Sequence, residues 1–101
     1  MLPEVRDRVL QAYKRIAEVD RPEVWITLRD EDDVLAEAVS LDEALAAGAD
    51  LPLAGTLVAV KDNIDVAGLP TTAACPEFAY TPATSAAAVE RLTSRGALVL
   101  G

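Results

Sequence analysis

Four consecutive apolar residues, Leu57, Val58, Ala59 and Val60, stop abruptly at Lys61, Asp62 and Asn63. A strand with one wet face would alternate polar and apolar residues, and this one does not. The run therefore predicts a strand buried on both faces, which needs covering elements on two sides. Ala97 to Leu100, just before Gly101, is a second run of the same type. Two dry strands in one short chain require helices to cover them, and the sequence supplies candidates.

Val5, Val9, Ala12, Ile16 and Val19 recur at helical spacing. Pro3 falls where a first helical turn tolerates proline, and Pro22 follows an end expected near Asp20. Trp25, Ile26, Thr27 and Leu28 predict a short strand closed by Arg29 and Asp30. Asp30 then suits the N-cap of a second helix, with Glu31, Asp32 and Asp33 at its positive end. Val34, Ala38, Leu41 and Leu45 form its apolar face, and Gly48 its stop. Ser40 and Glu43 match a capping box that would break this helix, but the continuous apolar stripe argues for one helix.

Beyond the first dry strand, Ile64 and Val66 alternate weakly. Gly68, Pro70, Thr71 and Thr72 make a loop, and Pro76 and Pro82 keep the chain irregular through Tyr80. Thr84 to Arg95 reads as a helix with Ala88, Val89 and Leu92 on one face, stopped by Gly96. The expected class is α/β: N-terminal helices, then the first strands of a mixed sheet flanked by helices. The texture changes at Pro52, so residues 1–50 form a helical region and 51–101 the start of a second region. A dry strand at the very terminus lacks a following element to cover it, so the chain reads as cut.

Composition narrows the function. Net charge is −8 and the isoelectric point about 4.3, a field that repels phosphate and anionic membrane surfaces. No nucleic-acid or membrane partner is therefore expected. With no histidine and one cysteine, Cys75, neither a zinc site nor an internal disulfide is expected. The first twenty residues lack a signal-peptide core, and no stretch has the ~20 apolar residues of a membrane span. A cytoplasmic chain is expected. Apolar residues make up 51% of only 101 residues, which suggests surface meant to meet further protein.

Of two lysines, Lys14 lies in a mixed-charge helix, whereas Lys61 directly follows the dry strand. Two explanations stay open on the residues themselves. In one, Lys61 pairs with Asp62 or snorkels to water. In the other, the strand end holds the amine at the edge of a site, where desolvation turns a lysine into a general base.

The stretch from Pro52 to Thr72, with Gly55, Thr56 and Leu57 leading into Lys61-Asp62-Asn63-Ile64-Asp65-Val66-Ala67-Gly68-Leu69-Pro70, resembles the opening block of the amidase-signature family. Ala88 through Arg91 and Gly96 to Gly101 are similar to the family's continuation of that block. The match covers about half the chain. The resemblance implies that Lys61 is the family's catalytic lysine, accepting a proton through a bridging serine next to a cis peptide bond so that a second serine attacks an amide. It implies no metal and no organic cofactor, and makes residues 51–101 the start of the catalytic domain. The family's serines lie in a Gly/Ser-rich segment, and Ser40, Ser85 and Ser94 have no such surroundings. The chain as it stands is thus expected to be inactive. Asp62 and Asn63 are expected either to support Lys61 by hydrogen bonds or to serve turn chemistry. Thr71 and Thr72 are read as structural, and Cys75, with no basic neighbour, as an inert thiol.

Residues 12–28, through Asp20-Arg21-Pro22-Glu23-Val24-Trp25, and residues 71–80 resemble allophanate hydrolases more than other amidases. That resemblance implies cleavage of urea-1-carboxylate to ammonia and carbon dioxide, and a small amide as the partner. It leaves a homodimer open for the full-length protein. Trp25 reads as a core anchor. Two other readings stay open: another amidase of the family, such as the amidase component of an amidotransferase working on aminoacylated transfer RNA, and a non-catalytic module binding a partner through a sheet edge or apolar face.

Overall fold

The computed structural model describes residues 4–101, so Pro3 lies outside the described residues. Three helices and two strands follow in the order α1 (Val5–Val19), α2 (Glu31–Ala46), β1 (Leu57–Val58), α3 (Ala87–Ser94) and β2 (Leu98–Val99). Short 3-10 turns lie at Pro22–Val24 and Pro76–Phe78. The fold is α/β, as expected.

β2 is buried on both faces, and residues 97–100 are all buried. It pairs in parallel with β1, Leu57 opposite Leu98 and Val58 opposite Val99. Leu98 N–H donates to Thr56 O at 3.0 Å, Leu100 N–H to Val58 O at 2.9 Å, and Val60 N–H to Gly101 O at 2.7 Å. The ladder thus runs two residues past β1. On the other edge of β2, Arg29 N–H donates to Leu100 O at 2.8 Å, and the Arg29 guanidinium to Val99 O at 2.9 Å. Both edges of the dry strand thus carry hydrogen bonds, the demand that buried backbone makes.

β1 departs from expectation: Leu57 and Val58 are half-buried and Ala59 is exposed. The uninterrupted apolar run marks the strand correctly, but elements among the described residues cover it only partly. Trp25 to Leu28 form no strand. The segment is extended chain whose neighbour Arg29 makes the one sheet-like bond, and its β-formers fit a half-buried surface rather than a ladder.

α1 and α2 run antiparallel and share one core with β2, formed by Val5, Val9 and Tyr13, by Val34 and Ala38, and by Leu98 and Leu100. The region expected over 1–50 thus packs directly on a strand from the 51–101 region. Of the apolar face read for α1, Val5 and Val9 are buried, Ala12 and Ile16 half-buried, and Val19 exposed. Tyr13 takes the remaining core place, its hydroxyl donating to Arg29 O at 2.7 Å. Burial pushes the Tyr13 pKa up.

The helix ends follow the residues only in part. Asp30 stands at the N-cap of α2 but makes no side-chain capping bond. Ser40 donates to Ala36 O at 3.2 Å within an unbroken helix, so no capping box forms. The N-terminus of α1 is capped from a distance: the Asp42 carboxylate accepts Val5 N–H at 2.8 Å and Arg6 N–H at 3.2 Å. α3 begins later than expected, at Ala87, because Ser85 Oγ accepts Ala67 N–H and Ala86 N–H donates to Asp65 O. Those bonds hold 84–86 in a loop. No helix among the described residues is long and apolar enough to cross a membrane.

Gly48 and Gly96 both end helices with φ of +94° and +101°. At each, the glycine N–H and the next residue's N–H reach back to helical carbonyls, Leu45 and Ala44 for Gly48, Thr93 and Leu92 for Gly96. They differ in surroundings. A β-carbon on Gly48 meets nothing within 4 Å, whereas one on Gly96 would lie 3.0 Å from Leu51 Cβ and 3.1 Å from Ala54 N. Gly48→Ala is expected to destabilise by about 1–2 kcal/mol through backbone strain. Gly96→Ala should lose roughly 1–3 kcal/mol more from forced overlap. Thermal melts followed by circular dichroism would check this ranking, and equal losses would contradict it.

Candidate functional site

β1 delivers the chain to a cleft of about 320 Å³. Trp25, Ile26, Val60, Ile64, Val66 and Leu69 give it apolar walls, and Lys61 and Asp62 are its charged residues. The cleft forms because the 25–28 segment lies across the end of β2. Gly101 allows that approach: a β-carbon there would lie 3.1 Å from Leu28 Cα and from the Trp25 ring, and would collide with Thr27 O. Trp25 is half-buried and packs against the main core, so it is both the expected anchor and a wall of the cleft. Neither Gly101 nor the 25–28 wall was legible as part of a site, since small or apolar residues carry no chemical signature.

Lys61 lines this cleft and is exposed, so of the two readings left open the desolvated amine is not seen among the described residues. The reason is the incomplete cover of β1. Among the described residues Lys61 makes no side-chain hydrogen bond or ion pair, and its position is set through its neighbours' backbone. Val60 N–H is bonded to Gly101 O, and Lys61 O accepts Ile64 N–H at 2.9 Å.

Asp62 and Asn63 do not bond to Lys61, so direct support by these residues is not observed. Asn63 is exposed. The Asp62 carboxylate instead turns to the loop at 72–74, accepting Thr72 Oγ1–H, Thr72 N–H at 3.2 Å and Ala74 N–H at 3.1 Å. Its main-chain carbonyl accepts Thr72 N–H at 3.2 Å and Ala73 N–H at 3.1 Å. Ala73 and Ala74 both take left-handed backbone conformations, with φ of 50° and 60°. Each costs an L-residue about 1–2 kcal/mol, and the Asp62 bonds offset that strain. The Thr72 hydroxyl, then the Ala74 amide, hold the Asp62 carboxyl below the ordinary carboxylate range.

A second anchor fixes the same loop. Thr71 is the one buried polar residue among those described, and its hydroxyl donates to Asp65 at 3.0 Å. Tyr80 pairs with Thr71 in an antiparallel bridge and donates its hydroxyl to the same carboxylate. That hydrogen bond to Asp65 raises the Tyr80 pKa. Thr71 and Thr72, read as structural from the sequence, both hold this loop by hydrogen bonds. Cys75 is a half-buried free thiol whose N–H donates to Thr72 O.

The three serines lie apart from Lys61 in this geometry. Ser40 and Ser94 donate to helical carbonyls, Ser85 accepts from Ala67, and none lines the cleft. No group of three or more His, Cys, Asp or Glu side chains suited to a metal ion occurs among the described residues.

Known proteins resemble this chain in sequence and in fold. The Amidase family model matches residues 7–101. Urea amidolyase of Saccharomyces cerevisiae is 44% identical over 88 residues, 87% of this chain and 5% of that protein. A glutamyl-tRNA(Gln) amidotransferase subunit of Geobacillus thermodenitrificans is 37% identical over 100 residues, 96% of this chain and 20% of that protein. Among solved structures, allophanate hydrolase of Kluyveromyces lactis superimposes with a TM-score of 0.68 at 36% identity, covering 95% of this chain and 16% of that one. The chain therefore spans a small part of the curated relatives it matches, between 5% and 20% of the length of these two.

The Asp62 clasp has a titration signature. A carboxyl whose folded pKa lies below its unfolded value stabilises above the unfolded value. That stability is lost as pH falls through the folded value. The 72–74 loop should accordingly loosen only in acid below the ordinary carboxylate range. Thr72→Val removes the largest cause of the shift and is expected to move the Asp62 titration upward, read from its carboxyl carbon by NMR. An unmoved titration would contradict the clasp.

Proposed function

The chain belongs to the amidase family, and on that premise we propose that it supplies the lysine side of an amide-hydrolysing site. Lys61 is the proton acceptor. The observation that carries this is its position: an amine at the end of a parallel strand, in an apolar-walled cleft, free of any competing partner among the described residues. Strand ends are where α/β proteins hold catalytic groups. An ammonium already paired with a carboxylate would be a poor base, and the neighbouring Asp62 is occupied with the 72–74 loop instead.

In the proposed reaction a serine Oγ attacks the amide carbonyl while its proton passes through a bridging serine to Lys61 Nζ. The proton then leaves with the departing amine, and water releases the acyl group. Both serines must come from outside the Lys61 cleft as described, since Ser40, Ser85 and Ser94 are engaged elsewhere. Protein covering the open side of the cleft would also take water from around the amine, which a lysine base requires.

For the substrate we favour allophanate, a small amide, on the names of the yeast relatives. The runner-up follows the Geobacillus relative, whose name points to an amidotransferase acting on glutamyl-tRNA(Gln). The net charge of −8 supports no nucleic-acid surface on this segment. The same acidity, with a single free cysteine, suits a cytoplasmic setting.

The complete reading frame encoding this segment, expressed with and without Lys61→Ala, provides the test. Ammonia release from allophanate is expected to fall by about 10²- to 10⁴-fold in the variant. Release near the unsubstituted level would overturn the role of Lys61. Release from glutamine but not from allophanate would favour the runner-up substrate.

A further inference from the structure

The amine of Lys61 has no side-chain partner among the described residues, so its place in the cleft depends on the residues either side of it. Val60, before it, is held by its N–H bond to Gly101 O at 2.7 Å. Asp62 follows it, and there the restraint is unusually dense. Thr72 and Ala73 N–H groups converge on the Asp62 carbonyl, while Thr72 N–H, Thr72 Oγ1–H and Ala74 N–H converge on its carboxylate. The loop supplying those donors holds two successive alanines in left-handed conformations. Such strain persists only where surrounding bonds over-determine the backbone, and it concentrates where geometry serves function.

We propose that Thr72, acting through Asp62, is a positioning residue for Lys61: the clasp between strand end and loop sets where the amine stands in the cleft. This rests on the reading of Lys61 as the proton acceptor. Thr72 does not bond the amine and does not itself line the cleft; it bonds Asp62, which does, and its effect reaches Lys61 through the peptide unit between Asp62 and Lys61. The hydroxyl is the part that matters. It is a charge-assisted donor to the carboxylate, and it also accepts Ala74 N–H at 3.1 Å, tying the strained turn to the same point. Serine retains that hydroxyl, whereas valine keeps the shape and loses it.

The alternative is that the clasp only stabilises the loop. The two differ in what kinetics would read. A loop stabiliser lowers the melting temperature and leaves the turnover of folded enzyme unchanged. A positioning residue lowers kcat while KM stays nearly constant, because proton transfer suffers and substrate binding does not.

The test uses the complete reading frame with allophanate as probe, comparing unsubstituted protein with Lys61→Ala, Thr72→Val, Thr72→Ser and Asp62→Asn. Thr72→Val is expected to lower kcat by roughly 10- to 100-fold, with KM within about twofold, and Thr72→Ser to restore most of the loss. Unchanged kcat in folded Thr72→Val, or no rescue by serine, would overturn the proposal. Should Thr72→Val fail to fold, Asp62→Asn decides: reduced kcat in a normally melting protein supports the clasp, and unsubstituted kcat refutes it. Persisting hydrolysis in Lys61→Ala would be a separate failure, of the reading of Lys61 itself.

Discussion

One strand with no wet face organises this molecule. Residues 97–100 are buried, and each edge of β2 is hydrogen-bonded, to β1 on one side and to Arg29 on the other. An unpaired backbone amide in that position would lose its water without replacement, at roughly 1–3 kcal/mol for each group. The segments bonded to it are therefore constrained to lie where they do. α1 and α2 close over one face through Val9, Val34 and Ala38, all with no measurable exposure. Arg29 is itself steadied by an ion pair with Glu37 of α2, so one helix both covers the strand and braces its edge partner.

The site inherits its geometry from that strand. Parallel pairing brings the end of β1 beside Gly101, and the absence of a β-carbon at Gly101 lets the 25–28 segment close one wall of the cleft. Lys61 emerges between those features with its backbone held and its amine free. The 72–74 loop is fastened twice, to Asp62 and through Thr71 and Tyr80 to Asp65. Lys61 so placed has a defined origin and an open side, which is what its proposed role as proton acceptor calls for.

What could be read from the residues was what periodicity and punctuation encode. The dry run at 97–100, the glycine stops at 48 and 96 and the break after Val60 matched because each reflects a local rule; of the stripe Val34, Ala38, Leu41 and Leu45, the first two are buried, Leu41 is half-buried and Leu45 is exposed. Misreadings came where distant chain decides. Trp25 to Leu28 has strand composition, yet only its neighbour Arg29 bonds to the edge of β2. Asp42 caps a helix nearly forty residues earlier, a bond with no local signal. Asp62 was weighed as support for the adjacent lysine, yet its carboxylate faces Thr72, ten positions on. The desolvated reading of Lys61 rested on the strand behind it, whereas the exposure of the amine depends on how fully that strand is covered. The family block itself was legible because it is long and ordered, while the cleft wall, made of ordinary apolar residues, was not.

If β2 is the organising strand, its amides should be the last to open. Hydrogen exchange by NMR reads this residue by residue, since slow exchange follows the free energy of opening. The Leu98 and Leu100 N–H groups, bonded to Thr56 and Val58, are expected to exchange as slowly as those at the centre of α2 and far more slowly than those of the exposed 76–79 turn. Leu98 and Leu100 exchanging as fast as that turn would mean that β2 does not hold the fold, and that the end of β1 is not fixed by it.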